Sequence, residues 1–343
     1  MAEPIISFDH VRKYFRIDNG MFQKRNLRAV EDVSFSVEKG EILAIVGESG
    51  CGKSTMARML CRLYAPTAGK ITVDGEDITA LNHKKANEYT SKVQMIYQDP
   101  FSSLNPAHTN KYIIGRAVEL HQPGIHKEEV RKKTVSLFES VGLTPAEDYM
   151  NKHPSHLSGG QRQRIVIARA LAMEPDIIVA DEPTSMLDVS ISIDIMNLMI
   201  RLQKEKNLTY LFITHNLASA RYMANRIAVM YAGSCVELGD IDDVIEHPLH
   251  PYTVLLLNSI PEPFRIEKID IQASEKQPDL TSGKQMCKFA ARCPLAEKRC
   301  FCETPGDYCA GNHRVKCFLY ENSTEGQRSK VDVSIYTRKA GLK

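Results

Sequence analysis

Apolar and polar positions along the chain follow two rhythms. Near the N-terminus, short β-type runs alternate with turns: Ile5-Ile6-Ser7-Phe8, then Val33-Ser34-Phe35-Ser36-Val37, then Glu41 to Val46. Lys39-Gly40, between the last two, reads as a hairpin turn. Ile42-Leu43-Ala44-Ile45-Val46 is continuously apolar, the pattern of a strand buried on both faces. A glycine-rich loop follows, then a helical pattern from about Lys53 to Leu63. The runs Val93 to Tyr97, Ile177 to Ala180 and Leu211 to Thr214 predict further strands, while 111–172 reads as mostly helical and 190–206 as a helix. Strands alternating with helices predict an α/β core with a mixed, mainly parallel sheet covered on both faces. The helical block at about 105–165 breaks that alternation and is expected to be an inserted α-helical subdomain.

Beyond about residue 246 the pattern changes. His247-Pro248-Leu249-His250-Pro251-Tyr252 is loop-like, and a short apolar segment ends at Ile260-Pro261-Glu262-Pro263. A cysteine-rich stretch comes next, and the polar end from Glu321 to Lys343 is expected to be loosely held. The expected division is a main domain over 1–245 and a small Cys-rich C-terminal extension over 246–343, with its cysteines at 287–317. No internal repeat is visible.

Composition narrows the class. The 343 residues are 43% hydrophobic and 25% charged, an ordinary globular balance. With 44 basic and 42 acidic side chains the net charge is +2, which leaves no footprint for nucleic acid. No apolar run reaches the ~20 residues needed to span a bilayer, and Met1-Ala2-Glu3-Pro4 lacks the character of a signal peptide. The chain is therefore expected in the cytoplasm, reaching any membrane through a protein partner. Disulfides are not expected in that reducing compartment.

Two motifs carry chemistry on their own. Gly47-Glu48-Ser49-Gly50-Cys51-Gly52-Lys53-Ser54-Thr55 fits G-x-x-x-x-G-K-[ST] between a buried strand and a helix. Glycines let successive N–H groups curl round a polyphosphate, and the helix presents its positive end. Lys53 is expected to reach the terminal phosphates of ATP and Ser54 to ligate Mg²⁺. Cys51 is expected to be a small side chain turned away from the phosphates. The strand Ile177-Ile178-Val179-Ala180 ends in Asp181-Glu182. Successive strand side chains point to opposite sides, so Asp181 suits Mg²⁺ and Glu182 suits the general base acting on water.

Leu157-Ser158-Gly159-Gly160-Gln161-Arg162-Gln163-Arg164 resembles the signature motif of the ATP-binding cassette (ABC) ATPases. That resemblance covers about residues 5–245 and implies a P-loop, RecA-like core that hydrolyses ATP. It implies that Ser158, Gly159, Gly160 and Gln161 contact ATP held by an opposite subunit. Tyr14 resembles the aromatic that stacks on adenine, with Phe15 the neighbouring candidate. Gln98 matches the glutamine sensing Mg²⁺ and water, and His215 the histidine contacting the γ-phosphate. Leu187-Asp188 resembles the loop that crosses the dimer interface in that family, with Met186 where the family usually has Ala. Each motif occurs once, so two composite sites require a second cassette, and separate transmembrane permease subunits would take up the force. Asp99 to Asn105 and the helical insert are the candidate contacts with them.

The loop sequence, Gln98-Asp99-Pro100-Phe101-Ser102-Ser103-Leu104-Asn105-Pro106 and His250-Pro251-Tyr252-Thr253 are similar to the dipeptide/oligopeptide permease subfamily. The lead from Tyr14 to Ala29 and the run from Thr209 to His215 resemble the second of its two paired ATPases. The implied partners are a sister ATP-binding subunit (or a second copy), two permease subunits and, indirectly, an extracytoplasmic binding protein, at the cytoplasmic face of the cell membrane. Peptides are the expected cargo, with oligosaccharide, nickel or glutathione the alternatives. A chromosome-organising ATPase would place a coiled coil between Lys53 and Ser158, and a non-hydrolysing sensor would not need Glu182, Gln98 and His215 together. In the same subfamily Cys287, Cys293, Cys300 and Cys317 imply a [4Fe–4S] cluster. Zinc, with His313 as a further ligand, or free thiols are the alternatives, and Cys302 and Cys309 are extra to the pattern.

Overall fold

Alternating strand residues bury themselves in two different cores, and this alternation organises the molecule. A computed structural model describes residues 3–18, 24–258 and 278–321. Strand β1 (Ile6–Asp18) pairs antiparallel with β2 (Lys24–Val37), with Phe8 opposite Phe35 and their rings stacked 4.7 Å apart. Then come β3 (Ile42–Val46), helix α1 (Lys53–Leu60), β4 (Ala68–Val73) and β5 (Glu76–Asp77). The order β2-β1-β4-β5 makes a four-stranded antiparallel sheet.

β3 does not belong to that sheet, so Lys39-Gly40 is a crossing between two sheets and not the expected hairpin. Both edges of β3 are taken by other strands, and β2 spends its pairing on β1.

The chain continues through α2 (His83–Lys92), β6 (Val93–Ile96) and the short α3 (Pro100–Ser103). Helices α4 (Asn110–His121), α5 (Lys127–Ser140), α6 (Glu147–Met150) and α7 (Gly159–Leu171) follow before β7 (Ile177–Asp181). Next are α8 (Val189–Lys206), β8 (Thr209–Thr214), α9 (Leu217–Met223), β9 (Arg226–Tyr231) and β10 (Ser234–Asp240). Helices α10 (Ile241–Glu246) and α11 (Pro251–Asn258) precede β11 (Tyr308–Ala310) and β12 (His313–Val315).

The main sheet runs β11-β12-β10-β9-β3-β8-β7-β6. β9, β3, β8, β7 and β6 are parallel, and β10, β12 and β11 add antiparallel partners at one edge. Leu43, Ile45, Ile177, Val179, Leu211 and Ile213 point to a core shared with α1 and the antiparallel sheet. Ile42, Ala44, Val46, Ile178, Ala180, Tyr210 and Phe212 point to the other core, beneath α7 and α8. Continuous apolar runs are therefore needed, because both faces of each strand exclude water.

Strands β9 and β10 are additions to the expected set, as are β4 and β5. His247 to Tyr252 is not wholly loop, since α11 begins at Pro251. Strand β12 joins the main sheet through β10, with Val315 opposite Glu237 and Arg314 opposite Leu238. Among the described residues no helix is long and apolar enough to cross a membrane. The segment at 260–263 and the polar end beyond 321 lie outside the described residues.

Candidate functional site

The phosphate-type loop is set by three glycines with positive φ: Gly47 at 149°, Gly50 at 79° and Gly52 at 107°. A Cβ on Gly47 would fall 2.1 Å from the Met230 carbonyl oxygen, and one on Gly52 would fall 2.3 Å from that of Ala29. Both positions thus exclude any side chain, for space as well as for backbone angle. Lys53 is buried, and its Nζ donates to the carbonyls of Gly47 (2.7 Å) and Glu48 (2.9 Å). Cys51 is buried under the loop, and burial pushes its thiol up.

Ser54, on the first turn of α1, donates from Oγ to Asp181 Oδ1 at 3.1 Å. Asp181 ends β7 and is buried. Burial raises its carboxyl above the usual range; the Ser54 hydrogen bond opposes the shift and the charge of Glu182 reinforces it. A buried carboxylate beside a hydroxyl offers two hard oxygen donors, so the pair fits a hard cation such as Mg²⁺.

Glu182 leaves the strand at φ 48°, its N–H donating to the Ile213 carbonyl at 2.9 Å. This is the left-handed region, uncommon for a residue other than glycine. Gln98 Nε2 donates to Glu182 Oε2 at 3.1 Å, and His215 Nδ1 lies 3.1 Å from the same oxygen. Gln98 follows β6 and His215 follows β8, the strands flanking β7. Parallel pairing brings the ends of three strands level, so groups from distant segments meet at one carboxylate.

The turn at 158–161 is a capping box: Ser158 Oγ accepts from Gln161 N at 3.3 Å, while Gln161 Oε1 accepts from Ser158 N at 3.1 Å. A Cβ on Gly160 would sit 2.6 Å from Ile191 Cγ2, and one on Gly159 would sit 3.1 Å from Leu187 Cδ2. Among the described residues no hydrogen bond or ion pair links this turn to residues 47–55 of the same chain. It lies instead against Leu187 and α8, beside exposed Asp188. Tyr14 lies under the Arg28 guanidinium, 5.1 Å from its ring centre, and Phe15 packs edge-on against Tyr64 at 5.3 Å.

Spacing in the sequence does not reveal the grip on Glu48. Arg292 lies 244 positions away, yet its Nη1 and Nη2 donate to the Glu48 carboxylate at 2.9 and 3.0 Å. Tyr252 Oη accepts from Glu48 N at 2.9 Å. The run 250–253 carries the only local signal: His250 Nδ1 accepts from Tyr252 N, and the Thr253 hydroxyl donates to buried Glu237.

The iron–sulfur expectation is corrected. Among the described residues, no group of three or more His, Cys, Asp or Glu is placed to hold a metal ion. Cys287, Cys293, Cys300 and Cys317 line one mostly apolar cavity of about 20 Å³ with Phe289, Leu295 and Phe318. Burial pushes the thiols of Cys293 and Cys317 up to about 12 and raises that of Cys287. Protonated thiols pack as small apolar side chains; Cys287 and Cys293 join the main core and Cys317 a satellite core with Leu249, Val315 and Tyr320. Cys302 and Cys309 are exposed. His313, the further zinc candidate, is buried with Nε2 2.7 Å from Glu237 Oε1.

A glycine loop closing on a buried lysine, faced by a hydroxyl and a strand-end carboxylate, places the molecule among the P-loop nucleotide-binding proteins. Comparison with known proteins narrows this. The family pattern described as ABC transporter matches residues 30–185, and that described as Oligopeptide/dipeptide transporter, C-terminal region, matches 236–300. The chain is 43% identical to Oligopeptide transport ATP-binding protein AppF of Bacillus subtilis over 93% of this chain and 98% of that one. It is 36% identical to Dipeptide transport ATP-binding protein DppF of Escherichia coli over 96% and 98%. Among solved structures, the ATP-binding cassette MJ0796 in a dimeric post-hydrolysis state with ADP and Pi superposes with a TM-score of 0.61. That match has 29% identity and covers 69% of this chain and 98% of that one. The chain belongs to the ABC transporter family of ATP-binding proteins and is an ABC-type ATPase with the cassette fold.

Proposed function

We propose that the chain hydrolyses ATP to ADP and phosphate in a two-cassette assembly and thereby drives peptide import. The observation that carries the mechanism is the convergence of Gln98 and His215 on one oxygen of Glu182, beside Lys53, Ser54 and Asp181. Residues 47–55 cradle the phosphates, with Lys53 turning from the loop carbonyls to the γ-phosphate and Tyr14 stacking on the base. Glu182 accepts the proton of the attacking water while His215 and Gln98 hold it in line. Ser54 and Asp181 would hold Mg²⁺, with Gln98 near its water shell; bound there, the ion offsets phosphate charge.

Ser158, Gly159, Gly160 and Gln161 of one chain close over ATP held by the other, the positive N-terminal end of α7 suiting the γ-phosphate. Asp188 meets the partner at the same face. Residues 1–245 then form the motor, with 105–165 as its helical insert, and 246–343 the Cys-rich extension. Peptide cargo is supported by the names of the relatives and by the C-terminal family match. The assembly is completed by a sister ATPase or second copy and two permease subunits, which hold the chain at the cytoplasmic face of the membrane and draw cargo from a binding protein outside it. Phe101, 52% exposed, and Tyr112, 51% exposed, present apolar area for the permease contact. Arg162 stacks its guanidinium 4.2 Å from the Phe101 ring centre, and Arg169 donates to the Ser103 carbonyl. That segment is thereby tied to the signature helix.

The deciding experiment is Glu182→Gln. ATP binding is expected to persist, a closed dimer to accumulate, and turnover to fall by about 10²-fold or more. Unchanged turnover removes Glu182 from its assigned role.

A further inference from the structure

We infer that Arg292, in the C-terminal extension, is a positioning residue for the phosphate loop and sets the affinity for ATP through Glu48; this rests on the reading of 47–55 as the ATP cradle. Its guanidinium makes a two-pronged pair with the Glu48 carboxylate at 2.9 and 3.0 Å. A planar fork matched to a carboxylate restricts orientation as well as distance. Arg292 is itself restrained: its side chain is 16% exposed, Nη1 lies 3.4 Å from Tyr231 Oη, and its guanidinium lies 5.7 and 5.8 Å from the ring centres of Tyr231 and Phe289. Its N–H donates to the Phe289 carbonyl, so the backbone turn is closed as well.

Glu48 is held at a second point, where its N–H donates to Tyr252 Oη. Tyr252, Tyr231, Phe289 and His250 form one aromatic cluster, with ring centres 4.5 to 5.7 Å apart. One end of Glu48 thus meets the extension. The other end, its carbonyl, accepts from Lys53 Nζ at 2.9 Å. The path Arg292–Glu48–Lys53 joins the extension to the lysine that is to meet the γ-phosphate. A loop built on three positive-φ glycines has little intrinsic preference for one shape, and Arg292 with Tyr252 supplies that preference from outside. Holding the loop ready lowers the ordering cost of binding, so the extension tunes affinity more than the chemical step.

The test compares wild type, Arg292→Ala, Arg292→Lys, Glu48→Ala and the double variant as full-length chains. ATP affinity is read by titration with a fluorescent trinitrophenyl-ATP probe and competing ATP, and KM and kcat by steady-state hydrolysis. Arg292→Ala is expected to weaken ATP binding about tenfold, with KM rising far more than kcat falls. Arg292→Lys, which keeps the charge but loses the fork, is expected to recover part of the affinity. Adding Arg292→Ala to Glu48→Ala is expected to cost little more, because the two act as one unit. Wild-type affinity in folded Arg292→Ala, or losses that add in the double variant, overturns the inference. If Arg292→Ala does not fold, Arg292→Lys and Glu48→Ala decide in the same way. Failure of wild type itself to bind the probe removes the cradle reading, an outcome distinct from either.

Discussion

Gly160 shows how one residue links a recognisable motif to packing. It is the second helical residue of α7, buried and without a side chain. That absence lets the turn rest on α8, because a Cβ would stand 2.6 Å from Ile191 Cγ2. Gly160→Ala therefore either displaces Ile191 or lifts the turn. Chemical denaturation is expected to show a loss of about 1–3 kcal/mol. ATP-driven pairing is expected to suffer more than ATP binding, since the phosphate loop of the same chain is untouched. Glu182 makes a related point: its φ of 48° costs backbone energy for a non-glycine residue. The position is used to aim a carboxylate at Gln98 and His215.

At the scale of elements, one buried carboxylate helps to tie β10 to α11 and β12. Glu237 of β10 is 1% exposed and accepts from Leu249 N (2.7 Å), His250 N (2.9 Å), the Thr253 hydroxyl and, at 2.7 Å, faces His313 Nε2. It thereby holds the start of α11 and strand β12 on the same sheet edge, its charge spread over several donors as burial requires. His250 beside it is fully buried, and burial lowers its imidazole from 6.5 to about 3. An unfolded chain takes up that proton below about pH 6.5 while the folded chain resists it until about pH 3. His250 therefore leaves stability intact above pH 6.5, and its contribution falls as the pH drops from there toward 3. Unfolding free energy measured by urea titration is expected to decline over that window. A His250→Asn variant is expected to show a shallower decline, after allowing for its own loss of packing.

At the scale of the whole molecule, the unpaired signature turn defines a face. Met186, Val189 and Ile193 are 53%, 79% and 42% exposed beside Asp188 and the turn that packs on Leu187 and Ile191. Apolar side chains so placed are what a second cassette would cover. In the Glu182→Gln background, Val189→Asp is expected to weaken the ATP-trapped dimer tenfold or more, since it would place an unpaired charge in the interface. Light scattering with and without ATP checks this. An unchanged dimer would show that the cassettes meet elsewhere.

The candidate ATP site is legible wherever its chemistry is consecutive. Residues 47–55, the acids at 181–182 and the turn at 158–161 each need neighbouring residue types, because a loop, a strand end and a helix start are local structures. The strands around them were legible because burial on both faces demands unbroken apolar runs. Strand pairing was not: β2 and β3 are neighbours in the chain but belong to different sheets, a choice made by competition for partner edges. The meeting of Gln98 and His215 at Glu182 depends on parallel register, and the grip of Arg292 on Glu48 on a chain that returns after 244 positions. The cysteines mark the same boundary from the other side. Their resemblance to a family pattern implied a metal centre, whereas burial raises the thiols of Cys287, Cys293 and Cys317 and packs them against apolar side chains. Sequence specifies which groups are present and which are adjacent; only the folded surroundings set how much water each retains and which distant group it meets.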